Sequence, residues 1–97
     1  TAGWLAYSIG KHALESIIKQ CALELAPHGI TSNAISPSLI DTNLTAEIPK
    51  KAKTRIMKNT PTQQLTSAKD VAYWIHALVM DESGQLNGQI LRINGAY

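Results

Sequence analysis

The sequence predicts an α/β fold built around parallel strands. Three observations carry that reading: two long segments with apolar residues at helical spacing, a short apolar run after each, and turn-forming residues between them. From about Tyr7 to Ala26, the residues Leu14, Ile17, Ile18, Cys21 and Leu25 recur at helical spacing without a proline, and Pro27 and Gly29 supply the stop. Ile30 to Ser36 then reads as a strand ending at Pro37, and its small or polar members Ser32, Asn33 and Ala34 suit a crowded, buried strand. The stretch from Ser38 to Thr66 is mostly polar, with a short helix expected between about Thr45 and Asn59, entered or interrupted at Pro49. Ser67 and Asp70 form a capping box of the S-x-x-D kind. Val71, Trp74, Ile75, Leu78 and Val79 follow at i, i+3, i+4, i+7 and i+8, a stripe read as ordinary core. "DESGQLNGQ" is a turn-rich loop and "QILRI" a final strand, closed by Asn94 and Gly95. Strands separated by helices imply right-handed crossovers in a parallel sheet. Two strands are too few for such a sheet, so the chain reads as part of one domain.

Composition narrows the function classes. Of 97 residues, 44% are apolar and 16% charged, a balance that fits a folded globular chain and argues against disorder. A net charge of +2 is too small to imply a nucleic-acid or membrane partner, and neither is expected. The single cysteine, Cys21, rules out an intrachain disulfide and points to a reducing, cytoplasmic setting; its place on the first apolar stripe is that of a small hydrophobe. No apolar run approaches the roughly 18 residues that cross a bilayer. The sequence opens at Thr1 without an initiator methionine or a signal-peptide pattern, so it is expected to be a piece of a longer polypeptide.

One pair of residues carries chemistry. Tyr7 and Lys11 stand four apart at the start of the first helix and so share a face. The spacing alone is weak, since i,i+4 surface pairs are common. A phenol has a reference pKa near 10, and a fixed ammonium about 5 Å away favours its phenolate by roughly 3 kcal/mol at an effective dielectric of about 20. A phenol so placed can exchange a proton with a substrate hydroxyl or carbonyl. Trp4, just before the tyrosine, either borders a substrate pocket or packs as core or rim. His12, His28 and His76 are scattered, and no metal site is expected from them. The most basic run, "PKKAKTRIMK", reads as a solvated helix face and lacks the aromatics that would stack nucleic-acid bases.

Beyond the pair, "YSIGKHALESIIKQCALELAPHGITSNAISPSLIDT" resembles the short-chain dehydrogenase/reductase family over its whole length. The family pattern is Tyr-x-x-x-Lys at a helix start, a helix ending near His-Gly-Ile, a strand containing Asn, and then Pro-Gly-x-Ile-x-Thr. This chain has Tyr7 and Lys11, His28-Gly29-Ile30, Asn33, and Pro37-Ser38-Leu39-Ile40-Asp41-Thr42. The resemblance resumes at "TSAKDVAYWIHALVMDESGQLNGQILRINGA", leaving only about residues 44 to 60 unmatched, where the family itself varies.

The resemblance implies the C-terminal portion of a doubly wound, Rossmann-type parallel sheet with flanking helices. Residues 1–97 would then be the C-terminal part of a single NAD(P)-binding domain, with the glycine-rich phosphate loop, the catalytic serine and a helix asparagine lying before Thr1. It implies an NAD(P)-dependent oxidoreductase interconverting an alcohol and a carbonyl, with 3-oxoacyl thioester reduction as one such reaction. Tyr7 would be the general acid/base, and Lys11 would tune it and hold the nicotinamide ribose. Backbone at Pro37, Ser38 and Ile40 would approach the nicotinamide, with Thr42 near its carboxamide or phosphates. Ser38 stands where the family usually has glycine. The cofactor is NAD or NADP, and the choice rests on residues outside this sequence. The implied partners are a small-molecule carbonyl or alcohol substrate and further copies in a dimer or tetramer, packed through Leu14, Ile18 and Leu25. Lys50, Lys51, Lys53 and Arg55 would lie over the substrate, facing an anionic substrate or carrier. This chain alone is expected to be inactive, and the alternative reading is a non-catalytic fragment or oligomerisation module that keeps the family's subunit interface.

Overall fold

A computed structural model describes residues 4–37, 40–41 and 49–95. In chain order they form α1 (Leu5–Leu25), a 3-10 turn (Ala26–His28), β1 (Ala34–Pro37), β2 (Ile40–Asp41), α2 (Lys50–Asn59), β3 (Thr66–Ser67), α3 (Ala68–Met80) and β4 (Ile90–Ile93). Helices and strands therefore alternate in an α/β arrangement. They gather into two compact units. One holds the described residues through Ala34 with Asp81–Ile90; the other holds those of Ile35–Met80 and from Leu91 onward.

In the first unit, α1 forms because a proline-free run of good helix formers reaches from Leu5 to Leu25. Trp4 occupies the N-cap without a side-chain cap, and the first turn closes when Ser8 N–H donates to the Trp4 carbonyl at 2.9 Å. At the other end Pro27 tightens the chain into the 3-10 turn, and Gly29 N–H donates to the Ala26 carbonyl at 3.0 Å. The helix buries one narrow edge: Ala22 is buried, Ile18, Cys21 and Leu25 are half-buried, and the expected stripe members Leu14 and Ile17 are exposed.

Two asparagines hold the segment after α1 to the 86–89 turn. Asn87 Nδ2 donates to the Ala22 carbonyl at 3.2 Å, and Asn87 Oδ1 accepts from Ser32 N–H at 2.9 Å. Asn33 reciprocates, Nδ2 donating to the Leu86 carbonyl at 2.9 Å and Oδ1 accepting from Gln89 N–H at 3.1 Å. Gly88 N–H donates to the Ser32 carbonyl at 2.8 Å. The strand expected from Ile30 therefore begins only at Ala34: residues 32 and 33 are occupied by side chains and by the turn instead of by a ladder. Gly88 has φ 72°, and a Cβ there would stand 3.2 Å from the Ala22 Cβ, so the turn meets the helix where only glycine fits easily.

In the second unit β1 lies beside β4, and β2 pairs with β3 in parallel, Ile40 opposite Thr66 and Asp41 opposite Ser67. Pro49 enters α2 as its N-cap, its carbonyl accepting from Ala52 and Lys53 N–H; residues 45–48 of the expected helix lie outside the described residues. The helix stops at Thr60, which is 2% exposed and whose hydroxyl donates to the Ile56 carbonyl at 2.7 Å. Thr66, also buried, donates through its hydroxyl to the Ile93 carbonyl at 2.7 Å. Gly95, at φ 60°, closes against this region: a Cβ would collide with the Thr62 hydroxyl and reach 2.9 Å from Thr60 Cγ2.

The expected capping box is present at the start of α3. Ser67 N–H and Ser67 Oγ donate to Asp70 Oδ2 at 2.9 and 2.8 Å, while Asp70 N–H donates back to Ser67 Oγ at 3.1 Å. The Ser67 backbone N–H first, and its hydroxyl second, hold the Asp70 carboxyl below its ordinary pKa. The stripe that follows is not the core it was read as. Trp74 is 45% exposed, Ile75 50% and Val79 75%, because the described residues of this unit supply only two short two-stranded sheets to cover it.

Candidate active site on helix α1

Tyr7 lies in the first turn of α1 and Lys11 one turn later, on the same face. Both are exposed. Among the described residues no hydrogen bond reaches the Tyr7 hydroxyl or the Lys11 ammonium, which leaves both free for a ligand. Side chains on a helix lean toward its N-terminus, so Tyr7 leans over the residue three before it. That residue is Trp4, and the two rings meet edge to face, centroids 5.3 Å apart and planes at 83°. A phenol, an ammonium and an indole thus occupy one end of one helix.

The other expected site residues fall elsewhere. Pro37 ends β1 and Ile40 begins β2, both in the second unit. Ser38 and Thr42 lie outside the described residues. Neighbouring His12 is turned to a local role, its Nδ1–H donating to the Ser8 carbonyl at 2.8 Å. Two hollows lie elsewhere among the described residues: one of about 390 Å³ is bounded by Lys19, Ala22, Leu23, Ala26, Asn87 and Gly88, another of about 540 Å³ by Lys50, Lys51, Thr54, Arg55, Lys58 and Asn59 of α2. Asn87, which borders the first of these hollows, is a residue that sequence reading missed. Its only local signal is the Asn87-Gly88 turn dipeptide, since its helix partner Ala22 is 65 residues away.

A family model described as enoyl-(acyl carrier protein) reductase matches residues 1–97. The chain belongs to the short-chain dehydrogenase/reductase family. A 3-oxoacyl-(acyl-carrier-protein) reductase of Buchnera aphidicola is 33% identical over 93 residues, which are 96% of this chain and 38% of that protein. The crystal structure of a 3-oxoacyl-(acyl-carrier-protein) reductase from Brucella melitensis superposes with a TM-score of 0.88 at 29% identity, covering 95% of this chain and 34% of that one. A short-chain dehydrogenase family protein from Francisella tularensis gives a TM-score of 0.85 at 25% identity, covering 100% and 45%. The chain thus spans less than half the length of each of these proteins. No described helix is long and apolar enough to cross a membrane.

Proposed function

We propose that this chain contributes the proton-transfer pair of an NAD(P)-dependent oxidoreductase that interconverts an alcohol and a carbonyl, with a 3-oxoacyl thioester as the carbonyl substrate. The observation that carries the reading is the exposed Tyr7–Lys11 pair on one face of α1, which no hydrogen bond from the described residues engages. The surrounding fold would be the C-terminal part of a doubly wound sheet in a single NAD(P)-binding domain, assembled as a homo-oligomer in the cytoplasm. The names of the Buchnera and Brucella proteins support the thioester substrate.

The donor set fits a nicotinamide cofactor. An unpaired ammonium supplies donors for ribose hydroxyls. Lys11 and Tyr7 would hold the ribose, with backbone at Pro37, Ser38 and Ile40 toward the nicotinamide and Thr42 near its carboxamide or phosphates. When bound, the nicotinamide supplies or accepts the hydride. In the reducing direction the Tyr7 hydroxyl donates its proton to the carbonyl oxygen as the alcohol forms; in the oxidising direction the Tyr7 oxygen takes it back. Lys11 keeps positive charge beside that oxygen while it lacks the proton. The test is Tyr7→Phe in the full-length protein, followed by nicotinamide absorbance with a 3-oxoacyl thioester. General acid/base groups contribute about 100- to 10,000-fold, so kcat falls by at least about 100-fold; near-normal turnover overturns the reading.

A further inference from the structure

We propose that Trp4 is a positioning residue for the Tyr7 phenol. The proposal rests on the proton-transfer role of Tyr7 argued above.

Tyr7 sits where a helix gives its side chain little support. It is in the first turn, 61% exposed, and its hydroxyl has no hydrogen-bond partner among the described residues. The i+3 position is Gly10, and a Cβ built there would meet nothing within 4 Å. Gly10 therefore offers the ring no side chain to pack on. A change of rotamer there carries the hydroxyl away from a fixed reacting atom. What the structure does give the ring is an edge-to-face indole on its N-terminal flank, at 5.3 Å and 83°. Geometry explains why it is there: the lean of helical side chains brings residue 7 over residue 4, and Trp4 at the N-cap ends the row. Among the described residues, the ring of Tyr7 is the aromatic contact given for Trp4. Trp4, Tyr7 and Lys11 follow at i, i+3 and i+7, so they share one face of the helix, with the phenol between the other two along it.

The experiment uses the full-length enzyme with Trp4→Ala, Trp4→Phe and Trp4→Leu, and Gln20→Ala as a control on an exposed polar residue of the same helix. Positioning predicts that Trp4→Ala lowers kcat by about 10-fold with KM within about 2-fold, since misplacing a reacting group costs rate more than binding. The solvent deuterium isotope effect on kcat rises, because proton transfer becomes the slower step. Trp4→Phe, which keeps an aromatic edge, restores kcat to within about 3-fold, and Trp4→Leu, which keeps bulk alone, does not. Should Trp4→Ala fold poorly, the Phe and Leu pair decides between ring and bulk. An unchanged kcat in Trp4→Ala overturns the proposal, as does a raised KM at constant kcat, which marks a binding wall. If Trp4→Ala leaves kcat unchanged while Tyr7→Phe abolishes turnover, the positioning role alone falls; if Tyr7→Phe is active, the role of Tyr7 falls with it.

Discussion

Asn33 and Asn87 fix the first unit through five hydrogen bonds that they and their neighbours share, and their loss is felt directly. Asn33 offers its carboxamide to two backbone groups, the Leu86 carbonyl and Gln89 N–H. Asn33→Ala removes both bonds and leaves part-buried backbone unpaired. At about 1 kcal/mol per bond, it lowers the stability of the full-length protein by about 2 kcal/mol, read as a lower denaturant midpoint at constant slope. A retained midpoint would mean that water replaces the side chain at no cost. At this scale the site was legible in part. Tyr7, Lys11 and Trp4 lie within eight residues on one helix, so their shared face follows from spacing alone. Asn33 was visible as a residue of the strand pattern, but its work was not, because its partners are 53 and 56 residues away.

The same contrast governs the elements. The capping box of α3 was readable because Ser67 and Asp70 are local partners, and it is present bond for bond. The start of β1 and the two-residue strand β3 were not, since each is defined by a partner far along the chain. The cap also makes α3 sensitive to acid. The carboxyl of Asp70 titrates below its ordinary value because Ser67 N–H and hydroxyl bond its charged form. A depressed folded pKa contributes stability that is fully present above the unfolded carboxylate value, about 3.9, and is lost as pH falls through the folded one. Helical signal from α3 therefore declines below about pH 4, and Asp70→Asn removes that component of the decline. A variant with an unchanged acid profile would show that the cap contributes nothing to the transition.

For the whole molecule the decisive quantity is how little apolar surface the described residues bury. Ala22 is the single fully buried hydrophobic residue among them, while Leu5, Ile9, Leu23, Tyr73, Val79 and Met80 are each more than 60% exposed. A helix apolar on several sides is one that is covered in its native setting. Such a balance cannot outweigh the entropy of ordering the chain. The 97-residue polypeptide expressed by itself is expected to bind a hydrophobic dye and to melt without a sigmoidal transition. One sharp transition, coincident by two probes in dilute solution, would refute this. The asparagine clamp has a further consequence, for chemical ageing. In an Asn-Gly pair the glycine nitrogen attacks the asparagine carboxamide, expels ammonia and leaves a succinimide that hydrolyses to aspartate or isoaspartate. At Asn87-Gly88 that nitrogen is held by the Ser32 carbonyl, and the carboxamide is held at both ends by Ser32 and Ala22. Isoaspartate at position 87 can therefore form only in molecules whose clamp has opened, and its slow accumulation in a stored sample is a clock for that opening.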